Sequence, residues 1–435
     1  MDNKKPSDIP SPFDKIFEHY HTFNAVQSSL LDVLLHTNKS VVLSAPTGSG
    51  KTVAFELAIV RMLLDHQQSH TINSSQTVYT TVATKAIYVA PIKALCAERF
   101  DDWKARFEVV GVKCLLITGD SELDELARLR DAQVIITTPE KWDSLTRHWR
   151  DCRDAISSVR LFLIDEVHLL NEDIRGPVLE AIVSRMHTIA RDTMIEPLRY
   201  VVASATIPNV QDITRWIARV GPDRNGANNL SIHENVIHFV FSDADRPVPL
   251  EKYVLGFNSC LRGFKFDMSL NYKLMGILRK YSECKATLIF CNCRKSAEMA
   301  ATALETNITT HFALSDQQKA NLTHLSQSLH DIKLRKLTAH GIAYHHAGMS
   351  LTDRNQIEDS FRQGNLMVLL CTNTLAMGVN LPARLVVIKS TEYYHQGKMM
   401  EYPESTLLQM IGRAGRPQYD TKGVAVILTH SRNVL

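Results

Sequence analysis

The sequence predicts an α/β protein of two lobes, each a mostly parallel sheet with helices on both faces. Three observations predict it. Short, continuous apolar runs alternate with amphipathic stretches, the pattern of strands buried on both sides. The alternation restarts in mid-chain, after the proline-bearing stretch "SDADRPVPL" at 242–250. And 435 residues exceed what one ordinary core fills, so two domains are the natural division.

The elements follow in order. "MDNKKPSDIPSPFDK", residues 1–15, is polar and proline-rich and reads as a flexible tail. The first lobe, 16–242, carries the runs "SVVLSA", "KAIYVA", "VKCLLIT", "AQVIITT", "RLFLID" and "RYVVASA". Residues 65–85 are polar and β-branched without helical period, and read as an exposed loop. The second lobe, 243–435, carries "ATLIFCN", "GIAYHH", "LMVLLCT", "RLVVIKS" and "GVAVILT". Residues 314–338 are polar and helical in character, a decoration on that lobe.

Apolar residues make up 45% and charged residues 22%, a globular composition without a membrane span or a signal peptide. A net charge of +3 neither demands nor excludes nucleic acid, so any basic groove must be local. The eight cysteines sit mostly in apolar runs, as buried thiols of a reducing compartment do. Cys291-x-Cys293 has no second pair at zinc spacing, and His340, His345 and His346 have no partners at ligand spacing, so no metal site is expected at either.

"SVVLSAPTGSGKT" runs from strand to glycine-rich turn to the helical pattern "VAFELAIVRML", which is the context of a phosphate-binding loop. Pro46, Thr47, Gly48, Ser49 and Gly50 form the turn, and the glycines let backbone amides approach phosphates. Lys51 supplies a point charge for the terminal phosphates, and Thr52 a hydroxyl for Mg²⁺. The generic pattern opens with glycine, whereas Ala45 stands here. A magnesium carboxylate should end a later strand, and "RLFLIDEVHLL" offers Asp165 for the metal and Glu166 to activate water. His168 is either a coupling residue or a hydrogen-bonded histidine near the cleft, with coupling the favoured reading.

In "QMIGRAGRPQYD", Gln409 leads two arginines, Arg413 and Arg416, each set behind a glycine. Guanidinium forks suit phosphate oxygens. If the lobes face each other, these arginines reach the γ-phosphate across the cleft and stabilise the charge of phosphoryl transfer. ATP would then bridge two bodies, as in a motor.

"APTGSGKT", "DEVH", "SAT" and "QMIGRAGR" occur in the order and spacing of superfamily-two helicases, which the chain resembles from 16 to 435. "APIKALCAERFDDW", "TTPEKWDSLTRHW", "AYHHAGMSLTDR" and "TNTLAMGVNLPARLVVI" look like the Ski-two-like branch. "FDDWKARF", "SATIPN" with "DITRWI", and "VVIKSTEYY" look most like the meiotic crossover DNA helicases, while "TPEKWD" and "RGPVLE" are shared with spliceosomal-type RNA helicases. The resemblance implies two RecA-like (P-loop NTPase) domains, the cofactors ATP and Mg²⁺, and a nuclear location. It implies that Gln27 reads the adenine edge, with Phe23 packed near the base. Ser204 and Thr206 would link the nucleotide to the nucleic-acid cleft, and Gly378 and Asn380 would line the cleft on the second lobe. Nucleic acid would meet Pro91, Lys93 and Arg99, then Thr138, Pro139 and Lys141, and then Arg294, Thr372 and Thr374. "TEYYHQGKMMEYPEST" would form a strand-separating hairpin bearing Tyr393 and Tyr394, with Met399 and Met400 beside its turn; this is the favoured reading over a core hairpin with its apolar side buried.

The activity implied is ATP-driven 3′–5′ movement on single-stranded or branched DNA with duplex unwinding, in meiotic recombination. An RNA helicase of the spliceosomal or exosome-adaptor kind, or an ATP-dependent clamp that separates no strands, remains open. Related helicases continue into winged-helix and ratchet domains, absent here. A fragment, or a short form completed by a protein partner, is the expectation.

Overall fold

The computed structural model describes residues 3–72, 84–119, 125–193, 198–205, 207–218, 235–373, 375, 381–395, 398–417 and 419–433. It divides into two compact units, Met1–Pro247 and Val248–Leu435.

In the first unit, seven parallel strands lie in the order β3-β4-β2-β5-β6-β1-β7. They are β1 Ser40–Ser44, β2 Lys85–Val89, β3 Cys114–Ile117, β4 Val134–Thr137, β5 Val159–Asp165, β6 Arg199–Ser204 and β7 Val236–Val240. Period-two alternation sorts each strand's side chains between two cores. Val41, Leu43, Ala86, Tyr88, Leu161 and Leu163 face one side. There they meet helices α1 Ala25–His36, α2 Thr52–Ile72 and α3 Lys93–Phe107. Val42, Ile87, Val89, Phe162 and Ile164 face the other side. That side is covered by α4 Glu125–Asp131, α5 Pro139–Arg147, α6 Arg153–Ser157, α7 Arg175–Asp192 and α8 Val210–Ala218. Where both faces are dry, as in β2 and β4, the strand is buried along its whole length.

Two expectations need correction, and the linker stretch has structure of its own. The stretch read as a tail is packed: Ile9 and Phe13 are buried with Ile16 and Phe17, and the Phe23 amide donates to the Lys4 carbonyl at 2.9 Å. Its few apolar residues do the anchoring, which averaging over a polar stretch conceals. The loop read from residue 65 begins later, because α2 continues to Ile72. A helix already nucleated by its apolar start propagates through residues of ordinary propensity when no glycine or proline intervenes. Residues 73–83 of that stretch lie outside the described residues. The stretch 242–250 holds a short turn of 3₁₀ helix, Asp243–Asp245, capped by Ser242, and already enters a strand at Leu250.

The second unit has six parallel strands in the order β10-β11-β9-β12-β15-β8. They are β8 Leu250–Phe257, β9 Thr287–Phe290, β10 Ile342–His345, β11 Val368–Cys371, β12 Leu385–Ile388 and β15 Gly423–His430. A separate antiparallel hairpin pairs β13 Glu392–His395 with β14 Lys398–Glu401. The helices are α9 Gly263–Tyr281, α10 Arg294–Ile308, α11 Asp316–Ser328, α12 Ile332–Thr338, α13 Leu351–Arg362 and α14 Glu404–Ile411. Helices α11 and α12 account for the polar 314–338 region, with Leu322, Leu325, Leu334 and Leu337 turned into the core. The root of the hairpin is a buried charge knot. Lys389, fully buried, donates to Asp267 at 2.9 Å and to Ser296 at 3.0 Å, and the Ser296 hydroxyl donates to the same Asp267 oxygen at 2.6 Å.

Candidate nucleotide site

The first unit's site forms where β1, β5 and β6, adjacent in the sheet, end in loops. The carboxyl edge of a parallel sheet is the usual ligand edge. Gly48 and Gly50 take φ of 82° and 89°, conformations that a side chain would strain. Ala45 keeps an ordinary φ and donates its amide to the Ser204 carbonyl at 3.1 Å. Its place therefore needs no glycine, which explains the departure from the generic pattern. The loop is braced from α1, where Asn24 and Gln27 form a reciprocal cap and the Asn24 side chain donates to the Ser49 carbonyl at 2.9 Å. A methyl on Gly50 would fall 2.3 Å from the Gln27 amide nitrogen, so the two touch. The Gln27 amide oxygen accepts the Asn24 backbone amide at 3.0 Å. Phe23 is fully buried between Phe17 and Tyr20, with ring centroids at 5.7 and 5.6 Å. It packs the start of α1 and offers no face to a base, which corrects its expected place beside the adenine.

The Lys51 ammonium turns back onto the loop carbonyls of Ala45 at 2.9 Å and Pro46 at 3.4 Å. The Thr47 and Ser49 hydroxyl oxygens are buried without a hydrogen-bond partner among the described residues. Buried polar atoms of this kind call for a ligand or water. Donors, a lysine and a helix N-terminus converge here, and together they suit a triphosphate. Thr52 opens α2 directly behind the lysine.

Asp165 ends β5, and Glu166 follows in the left-handed region at φ 56°. Burial, then the neighbouring Glu166, push the Asp165 carboxyl above the ordinary aspartate range; Tyr88, Lys51 and Arg99 pull the other way. A carboxylate that is desolvated beside another carboxylate is matched to a divalent cation. His168 Nδ1 lies 2.9 Å from the Ser204 hydroxyl and 3.2 Å from Glu166 Oε2, so one imidazole joins the end of β6 to the candidate base. Thr206 lies outside the described residues. With Glu166 as base, Glu166→Gln should keep nucleotide affinity and lower turnover by about 10²–10⁴. Filter binding of radiolabelled ATP beside a phosphate-release assay checks both halves.

The pairing of β2 with β4, Val89 opposite Thr137, gathers two expected nucleic-acid loops at one edge. Pro91 is buried and Lys93 exposed after β2; Thr138 and Pro139 are buried and Lys141 half-buried after β4. Arg99 does not join them. Its guanidinium turns inward, over the Trp103 ring at 5.6 Å and paired with Asp102 at 3.2 Å.

In the second unit, Gln409 is buried on α14 and the arginines follow on an anchored bend. The Ala383 amide donates to the Arg413 carbonyl at 3.0 Å, and the Gly415 amide returns a bond to the Ala383 carbonyl at 2.7 Å. Gly415 sits at φ 91°, and a methyl at Gly423 would lie 2.6 Å from the Ala414 carbonyl carbon, so the bend lies flush on β15. Arg416 is held two-handed by Asp420: Nε donates to Oδ2 at 2.9 Å and Nη2 to Oδ1 at 3.2 Å. The Asp420 carboxylate is inaccessible to solvent and also meets Lys285 at 3.3 Å. Burial alone would raise the Asp420 carboxyl, but its bonds from Arg416 prevail and hold it below the ordinary aspartate range.

Thr372 is buried after β11, and Arg294 is exposed at the start of α10. Thr374, Gly378 and Asn380 lie outside the described residues. His345 and His346 pair with Glu358 at 2.7 Å and Glu298 at 3.3 Å. On the hairpin, Tyr394 is 62% exposed and Met400 48%. Tyr393 instead packs on the core and stacks against Tyr402 at 4.6 Å, which removes it from the expected contact surface. Sequence reasoning missed two partners, Tyr88 on Asp165 and Asp420 on Arg416. The aspartate's position four residues after the arginine was the one available signal.

Residues 24–213 match the family described as DEAD/DEAH box helicase, and residues 314–418 the helicase conserved C-terminal domain. The chain is 46% identical over 434 residues to the probable ATP-dependent DNA helicase HFM1 of Mus musculus, covering 98% of this chain and 28% of that protein. It is 38% identical over 425 residues to the ATP-dependent DNA helicase MER3 of Saccharomyces cerevisiae, covering 98% of this chain and 32% of that protein. It is 39% identical over 428 residues to the activating signal cointegrator 1 complex subunit 3 of Bos taurus, covering 96% and 18%. The chain thus spans about a third or less of the length of these relatives.

Proposed function

Because the chain belongs to the Ski2-like helicases of the HFM1/MER3 type, two RecA-like domains in succession, we propose that it is an ATP-driven DNA helicase motor of meiotic recombination. Its partner is single-stranded or branched DNA, its movement is 3′ to 5′, and its location is the nucleus. One observation carries the reading: the elements needed for phosphoryl transfer, scattered in sequence, are each built and braced. The Gly48–Gly50 turn presents backbone amides, and Lys51 exchanges its loop carbonyls for phosphate oxygens. Glu166 takes the proton of the attacking water, held in place by its neighbour His168. Thr52 and Asp165 would hold Mg²⁺, which when bound would supply positive charge to the terminal phosphates. Arg416, with Arg413 and Gln409 of the same motif, is assigned the positive charge that stabilises phosphoryl transfer. His168 carries the state of Glu166 to Ser204 at the end of β6. Pro91, Lys93, Thr138 and Lys141 bind the strand's backbone, which suits movement without sequence readout. Tyr394 and the two methionines of the hairpin stack on the last base pair.

The test is ATP hydrolysis by the 435-residue chain with single-stranded DNA or RNA oligonucleotides of equal length, followed by displacement of a 3′-tailed duplex. Greater stimulation by DNA, with displacement from the 3′ tail, is expected. Greater stimulation by RNA overturns the DNA assignment. Stimulation without displacement turns the motor into a clamp.

A further inference from the structure

We infer that Tyr88 is a positioning residue for Asp165, fixing the carboxylate in the orientation that receives the divalent cation. The inference rests on the reading of Asp165 as the magnesium carboxylate.

Tyr88 lies on β2 and is wholly buried, one of the strand residues that face α2 and α3. Its ring is wedged edge-on between Phe55 of α2 at 5.4 Å and Trp103 of α3 at 5.0 Å. Trp103 is fixed in turn, its indole N–H donating to buried Glu56 at 2.9 Å. A ring packed this way holds its hydroxyl at one point in space, and that point is 2.6 Å from Asp165 Oδ2. The other oxygen, Oδ1, accepts the Glu166 amide at 3.0 Å. Each carboxylate oxygen thus receives one donor and keeps lone pairs for a cation or its water. Rotation about χ2, the soft torsion of an aspartate, is stopped from two sides.

A buried tyrosine hydroxyl seeks a partner wherever it lies. The same sheet shows, however, that burial alone does not bring a carboxylate to it. Tyr200 on β6 is equally buried, and its hydroxyl has no hydrogen-bond partner among the described residues. Tyr88 is set apart by what it touches. It also sits two residues before Ala90, where β2 turns into the Pro91–Lys93 loop. One rigid side chain therefore ties the carboxylate to the strand from which a candidate nucleic-acid loop springs.

Partners that orient a metal ligand commonly account for about 10- to 100-fold in metal affinity. Tyr88→Phe removes one oxygen and keeps the packed ring. Tyr88→Met, measured beside it, removes ring and hydroxyl together. Binding of Mn²⁺ to the ADP-loaded chain is read by electron paramagnetic resonance, and affinity for a fluorescent ADP analogue is read in EDTA. A variant that binds the analogue normally in EDTA is folded at the site and carries the test. The expected result is Mn²⁺ affinity about tenfold weaker with metal-free nucleotide binding unchanged. Unchanged Mn²⁺ affinity reduces Tyr88 to a packing residue and overturns the inference. Asp165→Asn separates the two claims: if it too leaves Mn²⁺ affinity intact, the assignment of the carboxylate itself fails.

Discussion

Arg416→Ala should lower the turnover number by about 10³–10⁵ while ATP affinity changes little, the behaviour of an arginine that acts on transferring phosphate. The magnitude follows from how the side chain is held. Asp420 grips the Nε and Nη2 edge, which leaves Nη1 to meet an oxyanion without first losing rotamer freedom. A lysine cannot reproduce that fork, so Arg416→Lys should resemble the alanine variant. Lys285 lies 3.3 Å from Asp420, so either change should leave the buried carboxylate a cation within reach and the fold intact. Because the Asp420 carboxyl lies below its ordinary value, its stabilising contribution is complete above the unfolded value near 3.8 and is lost only as pH falls below it. Assays near neutral pH therefore compare like with like. Single-turnover hydrolysis and nucleotide titration, with a thermal melt as control, check the result. Hydrolysis at the parental rate would end the proposal that this guanidinium touches the γ-phosphate.

The largest effect on stability should come from Lys389→Ala, at about 3–5 kcal/mol, because it strands a charge in the interior. The lysine and Asp267 are both essentially inaccessible, and after the change the aspartate keeps the Ser296 hydroxyl as a neutral donor but no cation among the described residues. Replacing both charges together, as Lys389→Met with Asp267→Leu, should be near neutral, since desolvation offsets most of what a buried pair contributes. Urea denaturation of the three proteins decides it. A loss no greater than the roughly 1 kcal/mol of an exposed pair would show that water reaches the knot. The same variants should loosen the hairpin, whose first strand starts three residues beyond the lysine.

How much of this was legible before any coordinates depends on where the information lies along the chain. The central strands announced themselves because both faces are dry, so "KAIYVA" and "LMVLLCT" are apolar but for Lys85 at the start of one and Thr372 at the end of the other. Two of the four sheet-edge strands did not: β7 and β8 are half-exposed, and Tyr253 and Lys252 break the apolar run of β8. The phosphate loop was legible because its parts are contiguous and their spacing is the mechanism. The brace on Asp165 was not, because Tyr88 lies 77 residues away and looks, in sequence, like one more apolar strand residue. Arg99 and Tyr393 show a third limit. A residue's type does not reveal which side of a helix or hairpin it occupies, and both point inward.

Gly423 gives the arginine bend a neighbour with no tolerance for bulk. A methyl there collides with main chain, which cannot swing aside as a side-chain tip could. Gly423→Ala should therefore displace the bend that carries both arginines, although glycine carries no chemistry.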